Sequence, residues 1–271
     1  MAIDLKRKGF ANEIIGVEKD PVHAQAALGL GLADRTADFE AAVREADLTI
    51  IAVPASAAEK LLPKALDIFA EEGPDCRRII IDVCSVKEPM VRSVHYHPMR
   101  RHYVATHPMA GTEYSGPWAA LPGLFDGRAG IICNSEDSDI RAVKTVEKLY
   151  DTLNMRAVYM NASNHDVHTA YISHASHAIS FALANTVLDK EKDEKHIFDL
   201  ASGGFSSTVR LAKSGADMWV PIFLQNRDNL LNVIDAYAEN LQALRDAIDD
   251  CDEAGIRKYI ESANRIKRII R

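Results

Sequence analysis

Ile79-Ile80-Ile81-Asp82-Val83-Cys84-Ser85-Val86-Lys87 and Tyr103-Val104-Ala105-Thr106-His107-Pro108-Met109-Ala110-Gly111-Thr112-Glu113-Tyr114-Ser115-Gly116 decide the fold. Each opens as a short apolar run and then breaks into polar or glycine-containing sequence. A near-continuous apolar run of this length reads as a strand buried on both faces, the usual state of strands in a parallel sheet. Residues 13–17, 48–53 and 130–133 repeat the pattern, with helical spacings between them. Asp20-Pro21 opens one such helix, an N-cap residue followed by proline at the first helical position. The expected architecture over residues 1–160 is α/β with a mostly parallel sheet.

In an open α/β sheet, ligands bind outside the carboxyl ends of the strands. His107 stands at such an end and can exchange protons near neutral pH, while Gly111 and Gly116 let the backbone approach a small ligand. Read alone, the segment is equally a glycine-rich turn with a solvent-facing histidine. Beyond residue 161 the β-branched runs stop. Asn164 is placed to cap a helix over 165–189, and helical patterns cover 218–248 and 253–269, with Leu230, Val233, Ile234 and Tyr237 at helical spacing. Residues 161–271 therefore read as an all-α domain. Its apolar faces exceed what one bundle layer hides, which implies a homodimer formed through these helices.

With 47% hydrophobic and 26% charged residues, the 271-residue chain has the composition of a soluble globular protein with room for two cores. A net charge of −7 without a basic stripe argues against a nucleic-acid partner. Cys76, Cys84, Cys133 and Cys251 are scattered and read as reduced thiols. No stretch approaches membrane-spanning length, and Asp4, Lys6, Arg7 and Lys8 occupy the place of a signal-peptide core. No membrane partner and a cytoplasmic location are expected.

A helical pattern over 1–8 ends at Gly9, and the strand over 13–17 ends in Glu18. An acidic residue ending the second strand of a dinucleotide-binding unit hydrogen-bonds the adenosine ribose and disfavours a 2′-phosphate, which points to NAD. Val53, Pro54 and Ser85, at the next strand ends, are the other candidate cofactor contacts. On that reading the first strand and its G-x-G-x-x-G turn are expected before Met1, so the Rossmann-like domain is incomplete at its N-terminus here. The alternative is a chain with an impaired cofactor site.

The helical half carries a second constellation. His174 and His177 are three apart, hence neighbours on a helix, among the small residues Ala170, Ser173, Ala175, Ser176 and Ala178. They read either as ligand-facing or as helix histidines bonded to their neighbours. Without H-E-x-x-H or a carboxylate at ligand spacing, no metal is expected. Arg210 follows a glycine-containing loop in apolar surroundings, where a guanidinium suits a substrate carboxylate. An internal ion pair with Asp217 or Asp228 is the other reading, and Trp219 is also readable as ordinary core.

Taken together, these segments resemble prephenate dehydrogenase, of the 6-phosphogluconate-dehydrogenase-like group. The resemblance is carried, in order, by Asp82-Val83-Cys84-Ser85-Val86-Lys87, His107-Pro108-Met109-Ala110-Gly111-Thr112-Glu113, Ser115-Gly116, Ser173-His174-x-x-His177, Thr208-Val209-Arg210-Leu211-Ala212 and Met218-Trp219. It implies NAD-dependent conversion of prephenate to 4-hydroxyphenylpyruvate and carbon dioxide, in tyrosine biosynthesis. It also implies that His107 takes the proton of the ring hydroxyl as hydride leaves C4, with Ser85 orienting His107 and the nicotinamide end. Arg210 would hold a substrate carboxylate, with His174, His177 and Trp219 lining the site and Glu113 at its mouth. Ala175-Ser176 stands where Leu-Pro is frequent, and no ACT or chorismate mutase domain is expected. Arogenate dehydrogenase and a non-catalytic relative are the rival readings.

Overall fold

The computed structural model describes residues 1–73, 76–112, 114–193 and 196–269. Helix α1 (Ala2–Arg7) leads to strand β1 (Ile15–Gly16), helix α2 (Pro21–Gly29) and strand β2 (Arg35–Thr36). Then follow α3 (Phe39–Glu45), β3 (Leu48–Ile51), α4 (Ala55–Glu71), β4 (Ile79–Asp82), α5 (Glu88–Ser93) and β5 (Tyr103–Pro108). Strand β6 (Ala129–Cys133), helix α6 (Ile140–Thr152) and strand β7 (Arg156–Met160) close the mixed half.

Strands β1 and β2 pair in parallel, apart from a five-stranded sheet of order β3-β4-β5-β6-β7. In that sheet β3, β4 and β5 are mutually parallel; β6 runs antiparallel to β5 and β7 parallel to β6. The carboxyl ends of β3, β4 and β5 therefore share one side, and His107 lies there, paired with Ile131 of β6. Strand period decides the core. Ile80 and Tyr103 enter one buried cluster beneath α4 and α5, whereas Ile81 and Val104 enter another with Leu5 of α1 and Val146, Leu149 and Tyr150 of α6.

Asp20 caps α2, accepting from the Val22 and His23 N–H groups at 2.8 and 3.2 Å. The expected cap at Asn164 is corrected. Asn161, extended at the end of β7, is the N-cap of α7 (Ala162–Thr169), and its side chain accepts from the Asn164 N–H at 2.7 Å. A π-helical stretch, Ala170–His174, then runs into α8 (Ala175–Asp193). After α9 (Gly203–Thr208) and a 3₁₀ turn (Arg210–Lys213), the expected continuous helix over 218–248 is two helices, α10 (Ala216–Gln225) and α11 (Arg227–Asp249). The break falls at Asn226, whose buried side chain bonds elsewhere in the fold. Helix α12 (Glu253–Ala263) follows, and the Tyr259 hydroxyl donates to the Asn240 carbonyl of α11 at 3.2 Å.

Compactness divides the chain after the start of its helical part, into Met1–Asn226 and Arg227–Arg271. Helices α7 to α10 belong to the first unit because Trp219 and Ile222 of α10 enter the sheet cluster beneath α4, and Gln225 donates to Glu59 of α4 at 2.7 Å. Among the described residues, no helix is long and apolar enough to cross a membrane.

Gly130 faces the buried ring of Tyr150, whose hydroxyl donates to the Ile131 carbonyl at 3.0 Å. A Cβ at Gly130 would overlap that ring. Gly130→Ala is expected to destabilise by roughly 1–3 kcal/mol, the usual penalty of overpacking. Urea unfolding measures it, and an unchanged midpoint would show that Tyr150 can yield.

Candidate active site

His107 ends the buried strand β5 and is only 8% exposed. Beneath it, Lys87 is wholly buried, with its ammonium on both oxygens of Asp82 and 2.7 Å from the Thr106 carbonyl. The Tyr103 hydroxyl donates to Asp82 at 3.1 Å, and the Thr106 hydroxyl to the Asp82 carbonyl. A buried charge pair of this kind holds its place only when its remaining polar atoms are bonded, and here they are. Burial pushes the Asp82 carboxyl up, while Lys87 and the bonds it makes draw it back down.

The partner of His107 is His165. Nδ1 of His107 lies 2.8 Å from Nε2 of His165, with ring centroids 5.0 Å apart and edge to face. Nδ1 of His165 lies 2.7 Å from Oδ1 of Asp166. That carboxylate also accepts the Lys87 N–H at 2.7 Å and the Glu88 N–H at 2.8 Å, so it caps α5 as well. The Asp166 carbonyl accepts from Nδ2 of Asn226 at 2.7 Å, and the same amide nitrogen lies 3.0 Å from Nδ1 of His174. Nε2 of His174 is buried without a well-formed hydrogen bond among the described residues, although the Ser85 backbone favours its protonated form.

His174 packs edge-on against Trp219, and His177 stacks on the same indole at 3.5 Å. Nδ1 of His177 donates to the Ser173 carbonyl at 3.0 Å, leaving Nε2 as an acceptor. Burial lowers the pKa of His177, the Ser173 bond opposes this, and the nearby Arg210 cation lowers it further. Burial also holds His107 well below the ordinary histidine value, reinforced by His165, Lys87 and His174. The same cause brings His174 down to about 4, and lowers His165 against the pull of Asp166.

His107, His174, His177, Trp219 and the charge of Arg210 therefore form one connected group. Nδ1 of His107 is taken by His165, and Ser85, half-buried, reaches the group through its backbone at His174. Glu18, Val53 and Pro54 are exposed, and the Asp20 N–H donates to the Glu18 carboxylate at 3.0 Å. Glu113 lies outside the described residues. Sequence reasoning missed His165, Asp166, Lys87 and Asn226 as members. A His-Asp pair at the start of a helix was the one visible signal, and burial alone shows its use.

A sheet with reactive side chains at its strand ends, joined to a helical part that completes the group, defines a two-part dehydrogenase. Residues 1–159 match the model of the prephenate dehydrogenase nucleotide-binding domain, and residues 161–262 that of the prephenate dehydrogenase dimerization domain. The chain belongs to the prephenate dehydrogenase family. It is 31% identical to prephenate dehydrogenase of Bacillus subtilis over 265 residues, covering 97% of this chain and 70% of that one. Cyclohexadienyl dehydrogenase of Zymomonas mobilis is 30% identical over 246 residues, with 89% of this chain and 81% of that one covered. The crystal structure of Aquifex aeolicus prephenate dehydrogenase with hydroxyphenyl propionate and NAD+ superposes with a TM-score of 0.87 at 28% identity, covering 99% and 92% of the two chains.

The four histidines make acid stability testable. Each binds a proton less readily in the folded chain than its ordinary value of 6.5 implies. Below pH 6.5 the unfolded chain takes up protons that the folded chain refuses. Stability is therefore full above pH 6.5 and falls toward the folded values, about 4 for His174. Urea midpoints measured from neutral to mildly acidic pH should decline through this window. A flat series would show that these rings protonate freely in place.

Proposed function

We propose that this chain catalyses the NAD-dependent oxidative decarboxylation of prephenate to 4-hydroxyphenylpyruvate. The observation that carries the reading is His107: a neutral, buried ring at a strand end, with no partner on Nε2 among the described residues. A neutral imidazole placed at a hydroxyl is a general base, contributing on the order of 10²–10⁴-fold in rate.

The residues present fit the ribose and nicotinamide portions of a nicotinamide dinucleotide, and the G-x-G-x-x-G turn for its pyrophosphate is not in this sequence. Glu18 presents an exposed carboxylate after β1, where it would hold a ribose diol, and exposed Val53 and Pro54 after β3 and half-buried Ser85 after β4 would line the rest of the cofactor. When bound, the dinucleotide supplies the acceptor for the hydride that leaves ring C4. Nε2 of His107 receives the proton of the C4 hydroxyl as that carbon is oxidised. Carbon dioxide leaves C1, the ring becomes aromatic, and His107 returns the proton to the phenolic oxygen. Atoms and charge balance without a metal. Arg210 holds a substrate carboxylate with its paired donors, and His177, held flat on Trp219, lines the same site. Ser85 faces the nicotinamide end.

Steady-state assays with prephenate and NAD test this reading, with arogenate and NADP run in parallel. Turnover of prephenate should be lost by about 10²-fold or more in His107→Asn. NAD should be preferred over NADP, because Glu18 meets a 2′-phosphate with like charge. No turnover of either substrate by the unaltered chain would leave a non-catalytic relative as the reading. Equal use of the two cofactors would remove Glu18 from the ribose site.

We also propose that the helical part forms a homodimer. Leu188, Val220 and Leu224 in the first unit, and Leu231, Leu241 and Ile248 in the second, are large apolar side chains left exposed in the single chain. Light scattering should give twice the chain mass at micromolar concentration. A monomer there would overturn the proposal.

A further inference from the structure

We propose that His165 and Asp166 are positioning residues for His107, fixing the orientation and the tautomer in which it meets the substrate. The inference deepens the dehydrogenase reading and rests on it for its kinetic consequence. The argument begins at the carboxylate. Asp166 already accepts two backbone N–H groups, from Lys87 and Glu88, and it has no proton to give to a ring. Nδ1 of His165, 2.7 Å away, must therefore carry the hydrogen of that bond. His165 is 1% exposed, and a ring so buried is neutral, so its Nε2 holds a lone pair. Nδ1 of His107, 2.8 Å from that lone pair, must in turn be the donor. The hydrogen of the His107 ring is thus committed to Nδ1, and Nε2 is left as the base.

The alternative tautomer would place two lone pairs against each other in a buried site. The chain of bonds also prepares the product of proton transfer. Once Nε2 of His107 is protonated, the imidazolium still donates from Nδ1 to His165, and its charge is offset by the Asp166 carboxylate one ring further on. The Asp166 carboxylate, in contact with His165, draws that ring toward its protonated form, while the wholly buried Lys87–Asp82 pair acts on it with opposing signs. A histidine whose second nitrogen is held by such a partner presents the first in a single protonation state.

Asp166 also caps α5, so its replacement would confound folding with positioning. The side chain of His165 makes only the two bonds of this series among the described residues, and so it is the residue to change. His165→Phe keeps the ring shape and removes both bonds. His165→Gln places an amide oxygen near the former Nε2, restoring an acceptor for His107. We expect His165→Phe to lower kcat by about 10–100-fold with little change in KM for prephenate, the range seen when the partner of a functional histidine is lost. His165→Gln should recover most of that loss.

The direct readout is the ¹⁵N spectrum of histidine-labelled protein, with His107 assigned by the signals that vanish in His107→Asn. The unaltered chain should show His107 protonated at Nδ1 and bare at Nε2, and His165→Phe should shift the ring toward the Nε2–H form. Finding Nε2–H in the unaltered chain would overturn the proposal, as would full kcat in a folded His165→Phe. The spectrum needs neither substrate nor turnover. A chain that fails to oxidise prephenate yet shows the Nδ1–H tautomer would defeat the dehydrogenase reading and keep the positioning one.

Discussion

Asp166 carries the heaviest set of obligations in the first compact unit. Its carboxylate is 1% exposed and accepts hydrogens from the backbone that starts α5 and from the ring of His165; its carbonyl accepts from Asn226 at the end of α10. A charge removed from water persists only where every lone pair finds a donor. Satisfying this one residue therefore fixes three pieces of chain that lie far apart in sequence. The start of α5 is held against α7, and the break between α10 and α11 is drawn to the same point. Everything proposed for His107 depends on those three pieces staying in register.

The electrostatics follow from the same burial. Four histidines sit within reach of one another and all are kept neutral chiefly by desolvation. The buried cation Lys87 adds to this for His107 and His165, and Arg210 adds to it for His177. A site assembled this way holds its imidazoles neutral at neutral pH, with a guanidinium charge felt at His177. The Lys87–Asp82 pair serves geometry: by bonding the Thr106 carbonyl, it ties the residue before His107 to β4.

Much of this was readable in advance, for identifiable reasons. The strands at 48–53, 79–83 and 103–106 are legible because their alternate side chains enter two separate buried clusters, which makes their sequences nearly continuously apolar. Strand β7 escaped notice because it is an edge strand with mostly exposed side chains, and β2 because two residues carry no period. The cap at Asn161 was displaced by three positions because Asn164 is an equally good capping residue, and only the turn out of β7 chooses between them. Of the candidate site, His107, His177 and Arg210 were legible as chemistry-bearing residues in glycine-rich or small-residue surroundings. The bond from His107 to His165 joins residues 58 apart in sequence, and no local pattern encodes it. Likewise the interruption at Asn226 has no breaker residue, since it arises from a tertiary bond to Asp166.

The π-helical stretch between α7 and α8 sets the rotational phase of everything that follows it. A π turn accommodates one residue more than an α turn, so the side chains beyond Ala170–His174 are rotated relative to those of α7. Each residue of an α-helix advances the direction of its side chain by about 100°. Removing a single residue from this stretch would let α7 and α8 fuse into one regular helix, with every capping and packing preference of α7 intact. His165 and Asp166 would keep their places, while His177 would turn off the face of Trp219 and Ser180 away from the Thr208 carbonyl it now bonds at 3.1 Å. Length, in this helix, is an angular coordinate: His165 and His177 share one rod, and a single residue decides whether they look in compatible directions.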